Sequence, residues 1–340
     1  MVAKRRVLIT GIAGLLGSHA ADRFNQEGWD VVGVDNLVGG YITNIPKSVT
    51  FINADCTNFL SMDKILDEYR PDTVIHAACT AYEGLSVFSP SLVFDNTASA
   101  TVAILSASIK FKVKRFIFCS SMARYGDSNG QIFTESMIPK PQDPYGIAKV
   151  SSELVIKNLS EVHGIEYVIL VPHNIIGPRQ KFDDPYRNVA AIMINRMLRG
   201  LPPIIYGDGS QTRSFSFVND VVNPMFLSAT EANVVGEVIN VGPDKNEITI
   251  LELSKIIGEL LNVNYEPIFY KDRPQEVKHA VCSADKARKL LDYDASTQLD
   301  EGLRAMIEFI KNIGPKEFDY AHRIEITNEL TPQTWVQKSI

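Results

Sequence analysis

The sequence predicts an α/β fold, a doubly wound parallel sheet carrying a smaller α/β lobe. Three observations predict it. Apolar runs of strand length recur at Val7, Val31, Val49, Thr73, Arg115 and Tyr167, mostly separated by helical patterns. Such alternation requires a parallel sheet covered on both faces. A glycine-rich turn directly follows the first run. At 340 residues the chain is also too long for one simple core and fits two closely packed lobes.

The first element, Val7-Leu-Ile-Thr10, runs into Gly11-Ile-Ala13-Gly14-Leu15-Leu16-Gly17 and a helical stretch to about Gly28. A tight turn there delivers a helix N-terminus, whose free N–H groups and dipole favour a pyrophosphate. Glycine is needed where backbone approaches phosphate oxygens and where the helix packs on the strand. The next run, Val31 to Val34, ends at Asp35, 18 residues past Gly17. An acid at about that distance hydrogen-bonds a ribose 2′-hydroxyl. It repels a 2′-phosphate, so NAD is favoured over NADP. This combination is the Rossmann fingerprint.

Farther along, Arg115 to Ser120 reads as a buried strand with Ser121 behind it. The segment Asp143-Pro-Tyr145-Gly-Ile-Ala-Lys149 opens a helix and puts Tyr145 and Lys149 on one face, four residues apart. A phenol titrates near ~10 and is a poor base alone, but a neighbouring ammonium favours the phenolate. Ser121 could hydrogen-bond the oxygen from which that phenolate takes a proton. This is equipment for oxidising an alcohol beside a bound hydride acceptor.

Strand Glu166 to Val171 is followed by a break from Pro172 to Arg179, a helical segment from Asn188 to Arg199, and Pro202-Pro203. Residues 236–242 read as a last strand. The dinucleotide lobe is thus expected from 1–173 plus 215–242, and the substrate lobe from 174–214 plus 243–340. The tail after Gly314 has little periodicity and is assigned no structure.

Composition excludes several classes. Apolar content of 45% and charge of 22% are those of an ordinary globular protein. A net charge of −6 without a basic tract argues against nucleic acid. No stretch reads as the ~20 apolar residues of a membrane span. Lys4-Arg-Arg6 precedes too short an apolar run for a signal peptide. Cys56, Cys79, Cys119 and Cys282 lack paired or metal-type spacing. They read as buried free thiols in a reducing cytoplasm, and no metal site is expected.

From about residue 5 to 312 the chain resembles the extended short-chain dehydrogenase/reductase superfamily, and within it the nucleotide-sugar epimerases typified by UDP-glucose 4-epimerase. The resemblance rests on Thr10 to His19, Asp35-Asn36-Leu37, Asp55, His76-Ala77-Ala78, Ser120 to Asp127 and Pro144 to Lys149, then Asn174 to Arg179, Tyr206 to Arg213 and Asp220. It implies NAD as cofactor and a nucleotide-diphosphate sugar, UDP-linked by preference, as substrate. Tyr145 is then the acid/base, Lys149 holds the nicotinamide ribose, and Ser121 orders the sugar hydroxyl. The glycine loop with Ala13, Leu15 and Leu16, then Asp35, Asn36 and Leu37, Asp55-Cys56, Ala77, Ala78, Thr80, Asn96 and Pro172 face the cofactor. His173, Asn174, Asn188, Tyr206, Arg213 and Arg273 face the substrate, the two arginines suited to a bidentate grip on phosphate. His19 and His76 read as structural. A homodimer through helices near Thr97–Lys110 and Val150–His163 is a further implication.

Members of this family begin by taking hydride from carbon 4 of the sugar. The 4,6-dehydratases carry an Asp-Glu pair after the catalytic hydroxyl, and the decarboxylases keep the glutamate. Met122 and Ala123 stand there and offer no proton donor or acceptor. A 4-epimerase needs none and is the favoured reading. A dehydrogenase releasing the keto sugar, an epimerase at another carbon and a non-catalytic NAD-binding module stay open. The departures are His173 for an aromatic, Arg124 for a valine, Asn96 shifted by one, and Cys79 to Gly84 bordering the sugar pocket. They suggest a sugar other than plain UDP-glucose, with Glu83 or His173 as candidate contacts to its substituent.

Overall fold

The computed structural model describes residues 4–127 and 130–340. The chain opens with β1 (Arg6–Thr10), α1 (Leu15–Gln26), β2 (Asp30–Asp35), β3 (Thr50–Asn53), α2 (Phe59–Tyr69) and β4 (Thr73–His76). There follow α3 (Glu83–Ser86), α4 (Pro90–Phe94), α5 (Ala100–Lys110), β5 (Arg115–Cys119), α6 (Pro144–His163) and β6 (Glu166–Pro172). With strand Val238–Val241 the strands form one seven-stranded parallel sheet, ordered Val238–Val241, β6, β5, β4, β1, β2, β3. The order reverses between β1 and β4, where Thr10 pairs with His76 and a crevice must open beyond the strand ends.

Side chains alternate faces along each strand, and here both faces are dry. Val7, Ile9, Ile117 and Val168 join Phe24, Met225 and Phe226 on one side. Leu8, Phe116, Phe118 and Ile169 join Met62, Leu66, Ile104 and Ile156 on the other. The strands therefore read as continuous apolar runs rather than as alternation.

Helix ends follow local chemistry. Asp143 caps α6 by accepting from the Gly146 N–H at 2.9 Å, Pro144 starts it, and Gly164 at φ 76° ends it. Residues 95–99 between α4 and α5 form a π turn, which takes up an extra residue within a helix. Across this irregularity Asn96, the residue out of step in the sequence, reaches the Thr80 hydroxyl at 2.9 Å.

In the smaller lobe, helices Val189–Leu198, Ile250–Leu261 and Leu299–Ile313 enclose Ile176, Phe182, Met193, Ile194, Ile205, Leu253 and Ile257. Strand Thr212–Arg213 lies between Ile248–Thr249 and His279–Ala280.

Two expectations are corrected, and the tail, left unassigned by the sequence, is placed. Ala284, Ala287, Leu291 and Tyr293, assigned by sequence to the smaller lobe, pack with Met225, Ile239 and Val241 on the large sheet. The tail after Gly314 is docked: Trp335 is buried against Phe88 and Tyr186, with ring centroids at 6.1 and 5.3 Å. Pro90–Lys110 is a helical run of 21 residues, long and apolar enough to cross a membrane by length and composition alone. It lies instead against α2 and α6, with Ile104, Leu105 and Ala107 fully buried, as a core helix.

Candidate active site

One cavity of about 420 Å³ runs from the glycine turn across the strand ends into the smaller lobe. At one end lie Gly11, Gly14, Leu15, Leu16 and Gly17. Gly11 has φ 72°, and a Cβ on Gly17 would lie 2.2 Å from the Gly11 carbonyl oxygen. Only glycine lets helix and turn come this close. A Cβ on Gly14 would meet nothing nearer than that oxygen, at 3.2 Å, so the backbone there faces open cavity. Asp35, Asn36, Asp55, Cys56, Ala77, Ala78, Thr80, Asn96 and Pro172 complete the wall. Asp35 accepts from the N–H groups of Ala13 at 2.9 Å and Leu37 at 2.7 Å, while Asp55 accepts from Asn36 at 3.2 Å. An anion-cradling turn with an acid ending β2 fits a dinucleotide lacking a 2′-phosphate.

Two of the expected cofactor contacts lie off the cavity. Ala13 is fully buried, its N–H taken by Asp35 and its carbonyl by Tyr41 N–H and Asn44 Nδ2. Leu37, at φ 65°, serves through its N–H to Asp35. Both support the acid rather than line the wall.

At mid-cavity Ser121, Tyr145 and Lys149 come together. A Cβ on Gly146 would lie 2.5 Å from the Ala123 carbonyl oxygen, so α6 packs directly on the turn that presents Ser121. The Ser121 hydroxyl accepts from Ala123 N–H at 3.2 Å and lies near enough to the Tyr145 phenol to favour its ionised form. Lys149, almost fully buried, donates to the Cys119 carbonyl at 2.6 Å, and its Nζ lies 5.7 Å from the Tyr145 ring centre. The expected lowering of the phenol pKa is not met by these residues alone. Burial, then Cys79, Glu83 and Asp143, hold Tyr145 well above its ordinary value against a smaller pull from Ser121. Desolvation of the phenolate dominates, while the Lys149 ammonium is turned to the Cys119 carbonyl.

At the far end Asn174, Asn188, Tyr206, Arg213 and Arg273 line the cavity. Asn174, at φ 42°, donates to the Ser214 carbonyl at 3.0 Å, and Asn188 caps its helix through Ala190 N–H at 2.9 Å. Arg273 holds Glu276 through two bonds of 3.1 and 2.7 Å and lies 4.8 Å from the Tyr206 ring centre. Arg213 donates to the carbonyls of Thr212, Lys278 and Val277.

His173 is the third correction among the expected site residues. It is buried off the cavity, with Nε2 3.0 Å from the Pro243 carbonyl and Nδ1 2.8 Å from the Cys282 sulfur. Neutral imidazole with Nε2–H donating and Nδ1 accepting satisfies both, and burial pushes its pKa down to about 4. His76 and His19 lie off the cavity. His76 is wedged between the hydroxyls of Thr10 and Thr101, and His19 bonds the Leu15 carbonyl.

Sequence reasoning missed Glu276, Tyr186, Arg187, His322 and Ile340, which all line the cavity. The last two come from the tail. His322 lies 3.2 Å from the Tyr82 hydroxyl, and Thr334 bonds the Tyr206 hydroxyl at 2.5 Å. Only Glu276 carried a signal, three residues from Arg273.

The profile of the NAD dependent epimerase/dehydratase family matches residues 7–242. A putative UDP-glucose 4-epimerase of Methanocaldococcus jannaschii is 34% identical over 309 residues, spanning 90% of this chain and 98% of its own. The crystal structure of UDP-glucose 4-epimerase with UDP-glucose from Thermotoga maritima superposes with TM-score 0.84 at 33% identity, over 91% and 99% of the two chains. That of UDP-glucuronic acid 4-epimerase from Bacillus cereus, with UDP-glucuronic acid and NAD, gives 0.84 at 28%, over 91% and 100%. Other relatives are named as a decarboxylase and as dTDP-glucose 4,6-dehydratases. With this fold, this cavity and these matches, the chain belongs to the NAD-dependent epimerase/dehydratase family of nucleotide-sugar enzymes, with NAD as its cofactor.

Proposed function

We propose that the protein is a UDP-sugar 4-epimerase. The observation that carries this is the catalytic wall. Ser121 and Tyr145 share one cavity with the cofactor turn. The turn after Ser121 comprises Met122, Ala123 and Arg124, all buried and off the cavity, with Arg124 paired to Glu153. It therefore holds no second proton carrier of the kind an elimination needs.

NAD, when bound, supplies the hydride acceptor and donor at carbon 4. The glycine turn, Asp35 and Asp55 hold it. Once ionised to the phenolate with the cofactor in place, the Tyr145 oxygen would take the proton of the 4-hydroxyl and later return it, with the Ser121 hydroxyl orienting that oxygen. Asn174, Asn188, Tyr206, Arg213 and Arg273 anchor the nucleotide end, leaving the sugar free to present either face. Relatives named as UDP-glucose 4-epimerases at 30 and 34% identity support the same reading.

The test is NMR of UDP-hexoses incubated with the protein in heavy water and without added NAD. Interconversion at carbon 4 with no deuterium at carbons 3 and 5 is expected. Net release of NADH without epimer refutes the proposal in favour of a dehydrogenase, and deuterium at those carbons refutes it in favour of enolisation. The homodimer is proposed on the same footing. Ile147, Leu154 and Val162 of α6 and Val102 of α5 are 45, 62, 65 and 40% exposed, an apolar face suited to a second copy. A light-scattering mass near 38 kDa, that of one chain, would reject it.

A further inference from the structure

Glu83 begins α3 on the wall of the cavity, between Tyr82 and Gly84. Its backbone is pinned, since the Ser86 hydroxyl donates to its carbonyl at 2.7 Å. Its side chain is exposed to the cavity, and among the described residues the carboxyl has no hydrogen-bond or ion-pair partner. The charged groups that face it are Asp143, Arg213, Glu276 and Arg273, and its own charge is felt by the Tyr145 phenol.

The cations around it are already engaged. Arg273 is bonded to Glu276 through two nitrogens, Arg213 to three backbone carbonyls, Lys149 to the Cys119 carbonyl, and Arg187 is paired with Asp184 at 3.6 Å. Adding a Cβ at Gly84 would bring it to 3.3 Å from Arg273 Nη1 and 3.4 Å from the Trp335 ring, so this wall is closely packed. Among the described residues the sugar end of the cavity thus holds an unpartnered acid beside arginines that are largely engaged elsewhere.

We propose that Glu83 determines sugar specificity, accepting a hydrogen bond from an uncharged sugar and excluding sugars that carry a carboxylate. The inference rests on the nucleotide-sugar reading above and narrows its substrate class to uncharged sugars. A uronate would set a further negative charge beside Glu83, Asp143 and Glu276, where Arg213 and Arg273 are already held by backbone carbonyls and by Glu276, and such like-charge contacts are an effective means of rejection.

The experiment compares UDP-glucose and UDP-N-acetylglucosamine with UDP-glucuronic acid, on wild type and Glu83→Gln. It uses NMR rates of 4-epimerisation and calorimetric binding of each nucleotide sugar. Wild type is expected to favour the better uncharged sugar by about a hundredfold in kcat/KM. Glu83→Gln is expected to narrow that ratio by about tenfold or more, through a gain for the uronate that general damage to the fold would not produce. A wild-type enzyme that handles the uronate equally well, or a ratio unmoved in the variant, overturns the role of Glu83 and leaves the epimerase reading intact. Absence of epimerisation with all three sugars overturns the epimerase reading. The calorimetric preference, and its response to Glu83→Gln, then decides the specificity claim separately.

Discussion

The Lys149 ammonium donates to the Cys119 carbonyl at 2.6 Å, which ties the helix carrying Tyr145 to the end of the strand before Ser121. Lys149 therefore positions the catalytic wall as well as charging it, and the phenol without cofactor is held protonated by burial. Tyr145→Phe is expected to lower kcat by ~10²–10⁴, while calorimetry finds UDP binding retained. An unaltered kcat would remove the phenol from the chemistry. Lys149→Met is expected to lower kcat and also to reduce the melting temperature, because it leaves that carbonyl unpaired.

The two glycines of the cofactor turn separate packing from ligand approach. A Cβ at Gly17 would strike three backbone atoms of Gly11 and Ile12 within 2.9 Å, whereas at Gly14 it would meet one oxygen at 3.2 Å. Gly17→Ala is expected to cost ~1–3 kcal/mol of stability and to abolish measurable NAD binding. Gly14→Ala should keep most of the stability and weaken NAD more than UDP. Equal NAD affinity for Gly17→Ala and wild type would show that this contact does not shape the cradle.

Arg124 and Glu153 form an ion pair whose side chains are 3 and 2% exposed, and the Ser120 hydroxyl also donates to Glu153, at 2.5 Å. Arg124 Nη1 has no partner, so the arginine is incompletely satisfied. Removing one member strands the other's charge. Glu153→Gln is expected to cost ~3–5 kcal/mol in urea unfolding. The double variant Arg124→Met with Glu153→Leu should recover most of that loss. A single variant as stable as wild type would mean that water reaches the pair.

His173 and His76 are buried neutral, with pKa values pushed down to about 4 and about 3 by desolvation. Unfolding exposes both to their ordinary value near ~6.5. Below that pH the unfolded chain binds protons that the folded chain refuses, so the stability present above it is lost as pH falls. The urea midpoint is expected to drop between pH 7.5 and pH 5, and His173→Gln should drop less over the same interval. Identical slopes would place the acid sensitivity elsewhere.

Much of this protein is written locally. The strands, the glycine turn ending at Asp35 and the pairing of Tyr145 with Lys149 depend on spacings of a few residues, and backbone geometry converts such spacings directly into direction. The face a residue presents near a chain break is not local. His173 turns into the core because Pro243 and Cys282, 70 and 109 residues away, satisfy its two nitrogens. Ala13 and Leu37 turn their N–H groups to Asp35 instead of facing the cofactor. The tail lacked any period because it forms no sheet or long helix. It is held by side chains such as Tyr82, 240 residues from His322. Sequence alone thus determined the machinery for moving a proton and seating a dinucleotide. Only tertiary structure decided which groups enclose the sugar, because that enclosure is built from contacts between segments whose own patterns do not refer to one another.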